Sequence, residues 1–136
     1  MLRELIDNGY GVEEDFNCAE KILNGANEAY GLGLDKRALK LAAGFGGGMM
    51  TERTCGAVAA AVMVLGLLTT ETVAHQSDRV KPIVQDYLSK YEVNMASIEC
   101  APLKKAYRTE MAGCQAVILK AAEILDEVVT RNALIK

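Results

Sequence analysis

Apolar residues recur every three or four positions along most of the chain, which is the spacing of one face of an α-helix. These stripes predict helices over about residues 15–30, 80–91 and 114–128. Asp15 is the expected N-cap of the first of these helices. No alternation of apolar and polar residues is long enough to predict a β-strand. The pattern therefore predicts an all-α fold.

Further helices are predicted between and before these segments. A short one covers about residues 2–8, and another begins after Asp35, a residue type that often caps helices. The most apolar stretch, residues 55–68, holds 14 residues, which is too few to cross a bilayer. It predicts a buried core helix with Thr54 as its N-cap. We expect a single-domain bundle of five or six helices over residues 1–136, with no membrane insertion.

Composition limits the kinds of partner and the location. The 136-residue chain has a net charge of −3 and no run of Lys or Arg, so we expect no binding to nucleic acid. Residues 1–10 lack the apolar segment of a signal peptide, so the expected location is the cytoplasm. Amphipathic helices rich in Ala and Leu could pack against a second copy, and we expect a homodimer of twofold symmetry.

Four cysteines, Cys18, Cys55, Cys100 and Cys114, each fall at or near the start of a predicted helix. The free N–H groups and the dipole at a helix start favour an anion, so a thiol there becomes a better nucleophile and metal ligand. The gaps between them hold 36, 44 and 13 residues, which excludes a CxxC motif. A joint site must therefore be assembled by tertiary folding.

The residue types leave several functions open. Four thiolates suit a tetrahedral zinc ion, a [2Fe–2S] cluster or a [4Fe–4S] cluster. Without metal, Cys55 is the expected attacking thiolate of a dithiol/disulfide redox protein, favoured by its helix start and by Arg53. Cysteine also packs in cores as a small hydrophobe, and Cys18 and Cys114 lie on apolar stripes.

A glycine-rich segment precedes Cys55. It contains Gly46, Gly47 and Gly48. Glycine can adopt backbone conformations that other residues rarely adopt, and it allows the backbone to approach another group closely. A cysteine that only packs in a core has no need of such a segment, whereas a thiolate or a cluster would gain hydrogen bonds from its N–H groups. We therefore expect these glycines to contribute to cofactor binding.

Several short segments resemble a known family. They are Asn17-Cys18-Ala19, Gly44-Phe45-Gly46-Gly47-Gly48-Met49, Cys55-Gly56-Ala57, Cys100, Cys114 and Ala121-Ala122-Glu123-Ile124-Leu125. Together they resemble the redox-active four-cysteine family named for its C…CGAxxG…C…C pattern, over about residues 10–130. One position departs from the pattern, because Ala60 replaces the last glycine of CGAxxG. Alanine is the smallest substitute, so we expect it to fit.

The resemblance implies a redox function for the cysteines. A similar domain in the split-Soret type of cytochrome c is associated with an iron–sulfur centre, and by position Cys18, Cys55, Cys100 and Cys114 become the implied cluster ligands. The chain has no CxxCH motif, so no covalent haem is expected. The leading hypothesis is electron transfer through an iron–sulfur cluster, to or from a redox partner protein. The alternatives are a metal-free dithiol/disulfide protein and a helical module with a structural zinc site.

Overall fold

The computed structural model describes residues 1–135, and seven α-helices lie within them. They are α1 (Leu2–Asp7), α2 (Cys18–Tyr30), α3 (Lys36–Leu39), α4 (Gly56–Thr69), α5 (Val80–Met95), α6 (Cys100–Tyr107) and α7 (Gln115–Arg131). The described chain contains two isolated β-bridges and no strand. The prediction of an all-α fold is confirmed.

The predicted number of five or six helices is too low. The α-helix after Asp35 ends at Leu39. A 3₁₀ segment, Lys40–Phe45, follows it and leads into the glycines. A separate helix, α6, has only eight residues. A helix start is predicted near each of them, but one or two turns carry too few apolar residues for the spacing to fix how many separate helices there are.

The start of α2 differs from the prediction. Asp15 lies in the left-handed region with φ of 57°, outside the helix. Asn17 is the N-cap instead, because its side chain accepts from the Glu20 N–H at 2.9 Å while the Glu20 carboxylate accepts from the Asn17 N–H at 3.0 Å. This reciprocal capping box makes Cys18 the first residue of the helix.

Helix α4 lies at the centre of the bundle. It packs against α2, α5 and α7, and its side chains Val58, Ala61, Val64 and Leu65 are fully buried. Burial of each Val or Leu side chain contributes roughly 1.5–3 kcal/mol. Because α4 is surrounded by other helices, the residue at its N-terminal end, Cys55, is buried as well.

Polar groups join the surrounding helices to one another. Two buried tyrosines of α5, Tyr87 and Tyr91, donate hydrogen bonds to carbonyl groups of α7 over 2.9 and 3.3 Å. Asp126 of α7 accepts from the Leu2 N–H at the start of α1 and from the Tyr30 hydroxyl at the end of α2. Within residues 1–135, no helix has the length and apolar character needed to cross a membrane.

Candidate functional site

The four cysteines lie at four helix starts, as the sequence predicts. Cys18 and Cys100 are the first residues of α2 and α6, and Cys55 and Cys114 are the N-caps of α4 and α7. All four line one cavity of about 440 Å³. Folding therefore brings together thiols that are far apart in the chain.

A short antiparallel contact holds the segments of Cys55 and Cys100 side by side. The residues that precede the two cysteines, Thr54 and Glu99, form an isolated β-bridge. The Cys55 N–H donates to the Ile98 carbonyl over 2.8 Å. The bridge holds Thr54 outside α4, so the prediction that Thr54 caps this helix is wrong, and Cys55 occupies the N-cap position instead.

The glycine-rich segment is attached to the start of α2. The Asn17 side-chain amide donates to the Ala43 carbonyl over 3.0 Å. Gly46 lies against the same side chain so closely that a Cβ at this position would overlap it. Asn17 therefore has two tasks: it caps α2 at Cys18 and it holds the segment beside that cysteine.

The three glycines predicted to bind a cofactor occupy different places. Gly47 lines the cavity. Gly46 and Gly48 are buried behind it, and a Cβ on Gly48 would lie 2.7 Å from the Cβ of Cys100. Gly46 and Gly48 thus let the segment fit between Asn17 and Cys100. A role in binding a cofactor stays a prediction for all three.

The segment continues as a left-handed turn. Gly47, Gly48, Met49 and Met50 have φ values of 61°, 63°, 58° and 60°. Glycine adopts this conformation readily, but each methionine pays about 1–2 kcal/mol. The Arg53 N–H donates to the Gly48 carbonyl over 3.0 Å and closes the turn. The sequence predicts the unusual backbone at the glycines and gives no sign of it at the methionines.

Gly56 is a site residue that the sequence-based interpretation missed. A Cβ at this position would lie 2.5 Å from the Phe45 carbonyl oxygen and 2.7 Å from the Cys18 sulfur. The glycine therefore allows the Cys18 thiol to approach the first turn of α4. Its place directly after Cys55 in the Cys55-Gly56-Ala57 motif was a signal that could have identified it.

Comparison with protein families decides what kind of protein carries this cavity. A family model described as "Putative redox-active protein (C_GCAxxG_C_C)" matches residues 16–128. The chain belongs to this family. The matched range contains all four cysteines, and Ala60, the one departure from the glycine pattern, is fully buried in α4.

No curated protein and no solved structure matches the chain significantly. In this member of the four-cysteine redox-active family, the cavity carries the residues that indicate its chemistry.

Burial is the main influence on the pKa of Cys55 in the protein without metal. Burial of Cys55 raises its pKa to about 11, although the N–H groups of Val58 and Ala57 in the first turn of α4 act in the opposite direction. Negative charge on Cys18 and Cys100 raises it further. In the metal-free protein, loss of hydration outweighs the helix N–H groups at Cys55. Its role as an attacking thiolate stays a prediction.

The other three cysteines are half-buried. Burial also raises the pKa of Cys100, followed by the effect of negative charge on Cys114 and Cys18. The Arg108 guanidinium lies beside Cys114, with 3.6 Å between its Nη1 and the sulfur. In this family member Cys114 is therefore the half-buried cysteine with a cation in direct contact.

Three cationic side chains line the cavity, and the sequence-based interpretation missed all of them. They are Lys21, Lys104 and Arg108. Lys21 had a signal in the sequence, because it lies three positions after Cys18 and so on the same side of α2. Arg53, the residue expected to assist Cys55, is not among the lining residues.

The donor set suits a metal-bound group. Four cysteine sulfurs are the ligands of an iron–sulfur cluster or of zinc. They line one cavity, and N–H groups in the first turn of α4 lower the pKa of one of them, Cys55. In the described part of the chain, no three His, Cys, Asp or Glu side chains are gathered as the ligands of a single metal ion.

Proposed function

We propose that the protein transfers electrons through an iron–sulfur cluster held by Cys18, Cys55, Cys100 and Cys114. The observation that supports this proposal is the convergence of four thiols, from four helix starts, on one cavity in a chain of the redox-active family. The cluster would supply one-electron chemistry at a potential that the surrounding protein adjusts.

The residues around the cavity have clear tasks in this proposal. The N–H groups of Ala57 and Val58, in the first turn of α4, lower the pKa of Cys55 and would stabilise a thiolate there. Buried apolar side chains on the wall, Leu103, Val117 and Ile118, exclude water. Gly47 brings a backbone segment without a side chain to the wall. Of these contacts, the N–H groups favour the thiolate form that metal binding requires.

A metal-free dithiol mechanism is the second candidate, favoured by the contact between Arg108 and Cys114. The Cys114 thiolate would attack one sulfur of a partner protein's disulfide and release the other sulfur as a thiolate. Cys100 would then attack Cys114 in the mixed disulfide, leaving the partner reduced and a Cys100–Cys114 disulfide in this chain. Two electrons pass to the partner. In this mechanism Cys114 replaces Cys55 as the attacking residue.

The deciding experiment is anaerobic purification from cells supplied with iron, followed by a visible spectrum and assays of iron, sulfide and zinc. We expect a brown protein with equal amounts of iron and sulfide. Each Cys→Ser variant should lose most of both, whereas Ala112→Ser, which adds a hydroxyl on the same wall without removing a thiol, should keep them.

The other results contradict the cluster. Zinc in stoichiometric amount would indicate a structural zinc site. A colourless, metal-free protein whose free-thiol count changes by two on reduction would indicate the dithiol mechanism.

We also propose that the protein works in the cytoplasm as a homodimer with a redox partner protein. A reducing compartment keeps four cysteines available as ligands or redox thiols. Light scattering during size-exclusion chromatography should give twice the chain mass of 14.6 kDa. A mass equal to that of one chain would contradict the dimer.

A further inference from the structure

The wall of the cysteine cavity carries more positive than negative charge. Three cationic side chains line it, Lys21, Lys104 and Arg108, against one carboxylate, that of Asp15. The N-terminal ends of α2, α4, α6 and α7 meet at the same cavity, and each adds partial positive charge. The surface of the cavity therefore favours an anion.

Lys21 supplies the strongest argument. Only 9 % of this residue is exposed, and its side chain lines the cavity. No carboxylate within residues 1–135 forms an ion pair with it. Burial of most of the residue reduces the hydration of this ammonium group, which has no carboxylate partner. An anion in the cavity would offset the lost hydration.

The stem of Lys21 is held in place by its neighbours. A Cβ on Gly11 would lie 3.3 Å from the Lys21 Cγ and 3.4 Å from its Cε, so the side chain lies close against this glycine. Gly11 also has a φ of 83°, which favours glycine. The turn before α2 thus leaves just enough room for the lysine to lie along it and reach the cavity.

The two other cations differ in how far they are neutralised. Lys104 pairs with Glu52, with 3.5 Å between Nζ and Oε1. Arg108 has no carboxylate partner in the described chain, and its guanidinium lies next to the Cys114 sulfur. Lys21 and Arg108 are therefore the two unpaired cations of the cavity.

We propose that the cavity binds a small oxyanion, either an inorganic oxyanion or a carboxylate, beside the cysteines, with Lys21 and Arg108 as its counter-ions. The cavity volume of about 440 Å³ lies within the range of small-molecule sites, about 300–1,000 Å³. The inference rests on the proposed function only in treating the adjacent cysteines as the redox group that the bound molecule would meet.

The test is titration calorimetry on the protein as purified without air, at constant ionic strength. The probes are sulfate and phosphate for inorganic oxyanions, and acetate and malonate for carboxylates. We expect saturable binding of at least one probe, with one site per chain. Lys21→Met keeps the unbranched apolar stem and should weaken this binding about tenfold. Arg108→Gln should weaken it as well.

Lys105→Met is the matched control, because Lys105 is exposed on α6 and does not line the cavity. It should leave the affinity unchanged. Absence of saturable binding by all four probes would overturn the proposal, and so would equal weakening in Lys105→Met, since binding would then follow net charge alone.

The probe that binds best separates the two sources of the oxyanion. Iron and sulfide are assayed on the same samples, so the two proposals can fail separately. Anion binding by a metal-free protein would contradict the cluster and support the oxyanion site. A protein that contains the cluster but binds none of the probes would support the cluster and contradict the oxyanion site.

Discussion

Cys55 shows how one residue can have a favourable helix position and an unfavourable environment. It is the N-cap of α4, which offers N–H groups, but only 4 % of it is exposed. Loss of hydration is the larger effect, and it raises the pKa of the thiol to about 11. A bound metal would reverse this balance, because a coordinated thiol is deprotonated.

The first prediction concerns the reactivity of the four thiols. In metal-free protein at about pH 8, a value close to the usual pKa of cysteine, we expect iodoacetamide to modify Cys55 at least about tenfold more slowly than Cys114. Mass spectrometry of digested samples gives the rate for each cysteine. In denaturant the four rates should become similar, which serves as the control. If Cys55 were the first cysteine to react in the native protein, this would contradict the conclusion that burial raises its pKa and slows its reaction.

The second prediction concerns Gly56, where a methyl group would displace either the Phe45 carbonyl or the Cys18 sulfur. We expect Gly56→Ala to lower the free energy of unfolding by roughly 1–3 kcal/mol and to reduce bound iron. Urea denaturation and iron assays measure the two effects.

Gly66→Ala on the same helix is the matched control. No atom lies within 4 Å of a Cβ at that position. The free energy of unfolding of this variant should therefore rise by roughly 0.5–1 kcal/mol, because alanine has the higher helix propensity, and its bound iron should not change. If the two variants show the same stability and the same iron content, the close approach of Cys18 to α4 is not required for stability or for iron binding.

At the scale of helices, Asn17 connects the start of α2 with the glycine-rich segment. It forms the capping box with Glu20 and donates to the Ala43 carbonyl. One side chain thus sets both the first turn that carries Cys18 and the position of the segment that faces the cavity.

The third prediction is that Asn17→Ala lowers the free energy of unfolding by about 1–2 kcal/mol and also raises the rate of Cys18 modification. Asp35→Ala is the matched control. Asp35 caps α3 through a 2.8 Å bond from the Ala38 N–H and does not line the cavity. It should lose a similar amount of stability and leave Cys18 unchanged. Equal effects of both variants on Cys18 would mean that the overall loss of stability sets the rate of Cys18 modification. The contacts of the Asn17 side chain would then have no specific effect on this cysteine.

At the scale of the whole molecule, α5 packs against α7 through two buried tyrosines. Tyr87 and Tyr91 are fully buried, and their hydroxyls donate to the Ala121 and Val117 carbonyls. Burial raises the pKa of both tyrosines well above the usual value. They also stack on each other, with ring centroids 6.3 Å apart.

The fourth prediction follows from the sign of these pKa changes. The folded protein keeps both tyrosines protonated, so their contribution to stability is complete below about pH 10, the usual tyrosine pKa, and decreases as the pH rises above it. In an alkaline titration followed by tyrosine absorbance, they should ionise together with unfolding measured by circular dichroism. Reversible ionisation of all five tyrosines before unfolding would contradict their burial. Tyr107→Phe, which replaces a half-buried tyrosine, should not change the coupled step.

The local pattern of the sequence determined the helical fold and the four helix starts at the cysteines. Helix periodicity and N-terminal preferences depend on neighbouring residues, so they can be read from the chain alone. They predicted a helix after Asp35 and another near Cys100, but they did not determine the lengths of α3 and α6. They also placed the start of α2 near Asp15, whereas the capping box of Asn17 sets it at Cys18.

Only the tertiary structure decided the properties of the cavity. The burial of Cys55, the close approach of Gly56 to Cys18, and the unpaired Lys21 on the wall all depend on contacts between distant segments. The residue type determines which chemical group is present. The solvation of that group and its distance to other groups depend on how the chain packs. The sequence by itself therefore determined which thiols could form the site, and folding determined which of them are buried and what charge surrounds them.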